Sequence, residues 1–234
     1  MNAKLASLQE WLNAKGMKPQ LVVDGKAGPA TREAFLMMFI NRQAPAVTQA
    51  DIAKFADRLG CTVAQLSAVA EVESGGGAFF TSGHPKILWE RHYFFKRLQI
   101  RIPLISDPVA GGYTMDANRN NVNDSWEKLA DAALRAPAYA FESCSWGKFQ
   151  IMGAWWDKLG YPSAAEFAWS MRESEAGHYE AFVRYVEVFG LVPALRAVDG
   201  NPMSARPLAR GYNGKNFAMF NYDIKIAREY RGLA

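Results

Sequence analysis

Leu5, Leu8, Trp11 and Leu12 recur at helical spacing, and Gly16 follows where a helix stop is expected. A short apolar run, Leu21-Val22-Val23, leads into Asp24-Gly25, a turn signal. Gly28-Pro29 opens a second helix, with proline at the first position, where its missing N–H costs nothing. Ala34, Phe35, Met38 and Phe39 form the apolar side of that helix. Residues 41–47 read as a linker, so residues 1–45 predict a small helical module, too short for a large core of its own. The pattern restarts at Thr48. Thr48 and Asp51 form a capping box for a helix reaching Gly60, and Thr62 caps the next one.

The helix after Thr62 carries the first candidate chemistry. At about 100° per residue, Val63, Leu66, Val69 and Ala70 fall in one arc. Glu73 lies inside that arc and Glu71 points to the opposite side. Ser74-Gly75-Gly76-Gly77 then cannot continue the helix. Burial disfavours the charged form of a carboxyl, and the negative end of a helix pushes the same way. A carboxyl kept protonated near neutral pH is what a general acid needs. The competing reading is a Glu held by local hydrogen bonds at a helix end.

Composition bounds the rest. With 234 residues, half of them hydrophobic and 21% charged, the chain can bury a real core in one or two domains. No run reaches ~18 uninterrupted apolar residues, so no membrane-spanning helix is expected. The amphipathic start does not read as a secretory signal. Cys61 and Cys144 read as two free thiols. Charge is uneven: residues 1–45 carry net +3, residues 46–205 net −3 and residues 206–234 net +4. Basic ends favour an anionic partner, but without a Lys/Arg run, zinc-finger or helix-turn-helix signature nucleic acid is not expected. His84, His92 and His178 share no zinc-binding spacing. Asp116, Asn118, Asn120, Asp124 and Glu127 have the spacing of a calcium loop, against the reading of an Asn-rich surface loop with Asp124 or Ser125 capping the next helix. No metal and no cofactor are expected.

Two sets of motifs carry a resemblance. Leu8-Gln9-x-x-Leu12-Asn13-x-x-Gly16, followed by Asp24-Gly25-x-x-Gly28-x-x-Thr31-x-x-Ala34, resembles the peptidoglycan-binding module of bacterial and phage cell-wall hydrolases. A plain helical cap is the alternative. Val72-Glu73-Ser74-Gly75, Ser145-Trp146-Gly147-Lys148-Phe149-Gln150-Ile151-Met152-Gly153 and Arg210-Gly211-Tyr212-Asn213-Gly214 resemble, in that order, the lysozyme superfamily. With Pro85 to Phe94 they resemble the N-acetylmuramidase catalytic domain of modular phage endolysins.

The resemblance implies a mainly α fold: a helical module at 1–45 and a lysozyme-like α-rich catalytic domain at 48–234 with a minor β-hairpin. It implies hydrolysis of the β-1,4 bond between N-acetylmuramic acid and N-acetylglucosamine, causing host cell lysis. By position Glu73 is the general acid. Glycoside hydrolysis usually needs a second carboxylate. Glu90 is the candidate, weighed against a salt bridge with Arg91 or a neighbouring base, and Glu142 is the next. Sugars suit aromatics beside amide and hydroxyl groups, so Trp89, Ser145, Trp146, Gln150, Tyr212 and Asn213 are assigned to substrate binding by motif position. Trp155 and Trp156 are assigned to the core, as are Phe182, Tyr185 and Phe189.

The expected partner is bacterial peptidoglycan, without stable membrane insertion, and the expected state is a monomer. The expected location is the host cytoplasm until release, then the periplasm or cell wall. A chain starting near residue 46 is expected to fold alone. Two other readings compete: a lytic transglycosylase acting on the same bond, and a non-catalytic wall-binding phage structural protein.

Overall fold

The computed structural model describes residues 2–74 and 77–234, the side chains of Glu73 and Ser74 excepted. In chain order the described elements are helices α1 (Ala3–Ala14), α2 (Pro29–Met38), α3 (Gln49–Leu59) and α4 (Val63–Ser74), then strand β1 (Ile87–Trp89). Next come α5 (Arg91–Leu98), α6 (Asp124–Ala133), α7 (Pro137–Glu142) and strands β2 (Cys144–Trp146) and β3 (Ile151–Met152). The chain ends with α8 (Ala164–Glu173), α9 (Glu175–Val188), α10 (Val192–Arg196), α11 (Pro202–Asn213) and α12 (Tyr222–Leu233). The architecture is mainly helical with one small sheet, as the resemblance implies. Among the described residues no helix is long and apolar enough to cross a membrane.

The chain forms two compact units, each built from two separate segments. The first joins Met1–Ala44 to Phe79–Glu173. Here the signature of the opening segment has a local explanation. Gln9 is 1% exposed, and its amide oxygen accepts from the backbone N–H of Asp24 (3.1 Å) and Gly25 (2.8 Å). Its amide nitrogen donates to Asp24 Oδ1 and Thr31 Oγ1. Asn13 donates to and accepts from the backbone of Leu21. One amide thus ties α1, the Asp24-Gly25 turn and α2 together, which is why these residue types recur at this spacing.

The spacing anticipates a separate module, but the segment folds into the core of this unit. Phe35 and Phe39 are fully buried and meet Trp126 of α6, Phe141 of α7 and Trp146 of β2; the Phe39 and Trp126 rings lie 5.0 Å apart. Polar groups reinforce the join. Trp11 Nε1 donates to Glu166 (2.8 Å), Lys15 pairs with the same carboxylate (2.9 Å), and Arg32 pairs with Asp131 (2.6 Å). His84 bonds the Leu36 carbonyl at 2.9 Å. The physical reason is size: a segment this short cannot bury its own aromatics.

Strands β1, β2 and β3 form an antiparallel sheet in that order, with Ile87 opposite Trp146, Trp89 opposite Cys144, and Trp146 opposite Ile151. Both Cys61 and Cys144 are free thiols, and burial, with the nearby Glu90 charge, raises Cys144 well above its ordinary pKa.

The second unit joins Pro45–Ala78 to Ser174–Ala234. The Thr48–Asp51 capping box opens α3, and Gly60 closes it at φ 60°. A Cβ at Gly60 would meet the Arg196 guanidinium, so glycine is required there twice over. Thr62 and Gln65 cap α4 reciprocally, and the buried Gln65 amide also donates to the Arg196 and Val198 carbonyls. Leu66, Val69 and Ala70 are buried and Glu71 is exposed, as the angular reading expects. Val63 departs from it, 39% exposed in the first turn. Gln65 and Ala68, outside that arc, are buried as well. Helix α12 packs on α4 and α11.

Candidate active site

Glu90 follows β1 and begins α5: its N–H donates to the Ser143 carbonyl (2.9 Å) and its own carbonyl accepts from Tyr93 (2.9 Å). The carboxylate is therefore fixed from both sides of its backbone. Its Oε2 accepts from the Tyr113 hydroxyl at 2.7 Å, and His92 Nδ1 stands 3.3 Å from the same oxygen. That nitrogen is buried, lacks hydrogen-bond geometry toward the oxygen, and has no other partner among the described residues. Arg91 does not pair with Glu90: its guanidinium donates to the carbonyls of Val109 (2.8 Å) and Ala110. The Glu90 side chain keeps 15% exposure.

Tyr113 reaches Glu90 from a loop that sequence patterning left unassigned. Gly111 and Gly112 precede it at φ 126° and 72°, conformations that favour glycine, and the Lys128 ammonium holds the Gly112 carbonyl at 2.7 Å. Partial burial, then the bond to the Glu90 carboxylate, pushes the Tyr113 phenol up to about 12. It is thus a proton donor to Glu90 throughout the neutral range. No motif or periodicity flagged it; the glycine pair before an aromatic was the available signal.

Glu142, the alternative, stands differently. Arg97 Nε pairs with it at 2.5 Å and Trp156 Nε1 donates to its other oxygen at 3.1 Å. A guanidinium that neutralises a carboxylate makes it a structural group.

Ser145 and Gln150 are brought together. The turn between β2 and β3 has Gly147 at φ 72° and Gln150 at φ 50°. Ser145 Oγ donates to Gln150 Oε1 at 2.8 Å, and Gln150 Nε2 donates to the Gly147 carbonyl. The pair closes the hairpin, leaving Gln150 exposed and Ser145 buried.

The assigned aromatics divide in the opposite sense to the sequence expectation. Trp89 and Trp146 are 2% and 1% exposed, with indole N–H groups donating to the carbonyls of Ile105 and Phe141. They present no ring face to solvent and serve packing. Trp155 and Trp156, assigned to the core, are half-buried, and Lys158 lies over the Trp155 ring. The physical reason is the strand itself: β1 and β2 enter the core, so aromatics on them are consumed by Phe94, Phe141 and Trp126.

In the second unit, Tyr212 and Asn213 lie in the last turn of α11, and the helix closes at Gly214. Within that helix Gly211 leaves the space that Leu191 fills, where a Cβ would stand. Tyr212 is half-buried against Phe182 and Tyr185. Glu73 occupies the C-terminal turn of α4, as predicted, and its side chain lies outside the described residues, as do Gly75 and Gly76.

The Asp116–Glu127 loop satisfies its acceptors internally. Asp116 accepts from the N–H groups of Asn120 and Asn121, Glu127 from the Asn118 and Asn120 amides, and Asp124 from the Ala117 N–H. The residue capping α6 is Asn123, one before the expected pair, and Asn121 takes the left-handed conformation at φ 65°.

Comparison with known proteins adds two findings. A family model described as Muramidase, N-acetylmuramidase, matches residues 62–234. Among solved structures, "Crystal structure of Burkholderia AP3 phage endolysin" is 34% identical, covers 99% of this chain and 96% of that one, and superposes with a TM-score of 0.72. No curated protein matches.

Proposed function

The chain belongs to the N-acetylmuramidase family, and from that premise we propose that Glu73 is the general acid and Glu90 the second carboxylate of its reaction. The enzyme is a glycoside hydrolase that cleaves the β-1,4 bond between N-acetylmuramic acid and N-acetylglucosamine in peptidoglycan. The observation that carries the assignment is the family match across 62–234, which contains both carboxylates. Glu73 stands where the partial negative charge of a helix end favours the protonated form. It donates its proton to the leaving glycosidic oxygen as the bond breaks. Glu90 accepts a hydrogen bond from a phenol, with an imidazole nitrogen nearby, and has no Arg or Lys counter-ion among the described residues. A hydrogen bond from a phenol holds a carboxylate in place without cancelling the charge that activates water or meets the oxocarbenium-like centre.

The protein acts as a lysin. It accumulates in the host cytoplasm and works as a monomer on the periplasmic cell wall after release. Residues 1–45 add affinity for the wall through exposed Lys4, Lys18, Lys26 and Arg42, while their motif residues Gln9, Asn13 and Asp24 hold the segment in shape. The test is Glu73→Gln on purified peptidoglycan: a loss of ~100-fold or more in a folded protein is expected, with Glu71→Gln nearly silent. Activity of Glu73→Gln within a few-fold of wild type rejects the assignment. Product mass checks the reaction class, since a lytic transglycosylase yields an anhydro-sugar one water lighter.

A further inference from the structure

A cavity of about 740 Å³ opens beside α6 in the first unit, well within the size range of small-ligand sites. One wall is aliphatic, from Ile102 to Ile105 and Leu134. The charged groups around it are unevenly satisfied. Arg32 and Asp131 pair with each other. Lys128 does not have that option. It is 9% exposed, and its ammonium donates only to neutral acceptors, the Gly112 carbonyl (2.7 Å) and Thr114 Oγ1 (3.1 Å). An ammonium has three donors, so one is left over. No carboxylate lies within ion-pair distance of it among the described residues, and burial lowers its pKa from the ordinary value. Arg135, on the same cavity, makes no ion pair among the described residues either. Glu127, beside Lys128 on α6, accepts hydrogen bonds from Asn amides, and its charge and that of Asp124 act on the lysine without reaching ion-pair distance.

We propose that this cavity binds a short peptide, its free carboxylate held by Lys128 and Arg135, its amino group by Glu127, and its aliphatic side chains by the Ile102–Ile105 wall. A lysine beside two carboxylates on α6, an arginine without an ion pair and an apolar wall match a zwitterionic peptide better than a neutral sugar, which needs no fixed charge. The source is the substrate: peptidoglycan is glycan carrying short peptides with free carboxylates and amines. In that sense the inference rests on the muramidase reading, but it assigns the peptide portion a site of its own, made without Glu73 or Glu90.

The test is calorimetric titration of the full chain with the soluble tetrapeptide that an amidase releases from diaminopimelate-type peptidoglycan, and with the same peptide amidated at its carboxylates. Binding to the wild type is expected, weakened roughly tenfold by amidation, the scale of a lost charge-assisted hydrogen bond. Arg135→Ala should weaken it by a similar factor. Arg135 is exposed, so that variant folds even if Lys128→Met does not. On sacculi, Arg135→Ala should raise KM about tenfold relative to amidase-stripped glycan, with kcat little changed. No binding to the wild type, equal affinity for the amidated peptide, or wild-type affinity in Arg135→Ala each overturns the proposal. Failure of the muramidase reading would instead abolish glycan cleavage while leaving the calorimetry as expected.

Discussion

The small sheet and its rim hold their side chains by opposite means. Toward the core, Trp89 and Trp146 are buried among rings, with each indole N–H spent on a backbone carbonyl. Around the sheet, Glu90 just after β1 and Glu142 at the end of α7 retain some solvent contact and depend on polar partners. The two carboxylates then part company: Glu142 meets a guanidinium, Glu90 a phenol and an imidazole. The core side supplies rigidity at the cost of availability. Only the rim keeps groups that can still meet a ligand, and within it only a carboxylate lacking a strong counter-ion keeps its full charge for use.

The severest way to break that contrast is to remove residues 1–45. Because Phe35 and Phe39 leave with them, Trp126, Phe141 and Trp146 lose their neighbours. Each lost aromatic costs ~3–5 kcal/mol, so the remaining chain should be insoluble or lack the near-ultraviolet circular dichroism of a packed core. A soluble, cooperatively melting fragment would show the segment to be an appendage after all.

The core side should also respond to acid. His84 stacks on Trp126 and bonds the Leu36 carbonyl, and burial lowers its pKa to about 4 from 6.5. A depressed histidine favours the neutral form in the fold. Its contribution is complete above pH 6.5 and lost as pH falls toward 4, by at most about 3 kcal/mol. Melting temperature measured across that window should fall, and His84→Gln should flatten the fall.

On the rim, Glu90→Gln should lower turnover by ~100-fold with little change in melting temperature, equivalent to roughly 2.7 kcal/mol in the barrier. Glu142→Gln should do the reverse, leaving the folded enzyme active and lowering stability by ~1 kcal/mol. Measuring both quantities on the same preparations separates the two carboxylates. If the effects come out interchanged, the contrast drawn from their partners fails.

The smallest effect sharpens the comparison most finely. Tyr113→Phe removes one hydrogen bond to Glu90 while keeping the ring. A drop in kcat of ~5–10-fold is expected, the scale of one bond to a charged group, with KM nearly constant. An unchanged kcat would make Tyr113 a bystander of the loop.

Local signals were legible because their partners are close in sequence. The Thr48–Asp51 box, the Thr62 cap, Pro29 and Gly60 all form within one helical turn. The Gln9 motif was legible as a pattern, and its meaning became clear only when one amide was seen to reach Asp24, Gly25 and Thr31. What sequence could not say was which aromatics face inward. Trp146 and Trp156 stand ten residues apart, and Trp146 is buried by Phe39 and Trp126, far away in the chain. Tyr212 and Asn213 were legible as a motif, but not that they would close a helix in which Gly211 makes room for Leu191. Glu90 was legible as a carboxylate after a strand; its partner Tyr113, from a loop without periodicity, was not.

Each unit closes only when its second segment arrives, and this ties assembly to the direction of synthesis. The opening segment, Met1–Ala44, leaves the ribosome first, yet the partners of Phe35 and Phe39 lie within Phe79–Glu173. At roughly 5–20 residues per second, its aromatics wait on the order of ten seconds for α7 and α8. Pro45–Ala78 waits longer, until the chain has reached Ala234. A message cut short after Glu173 could complete the first unit but never the second. Nascent chains of this protein should therefore engage chaperones early and release late, and Pro45–Ala78 is among the last segments to become safe from proteases.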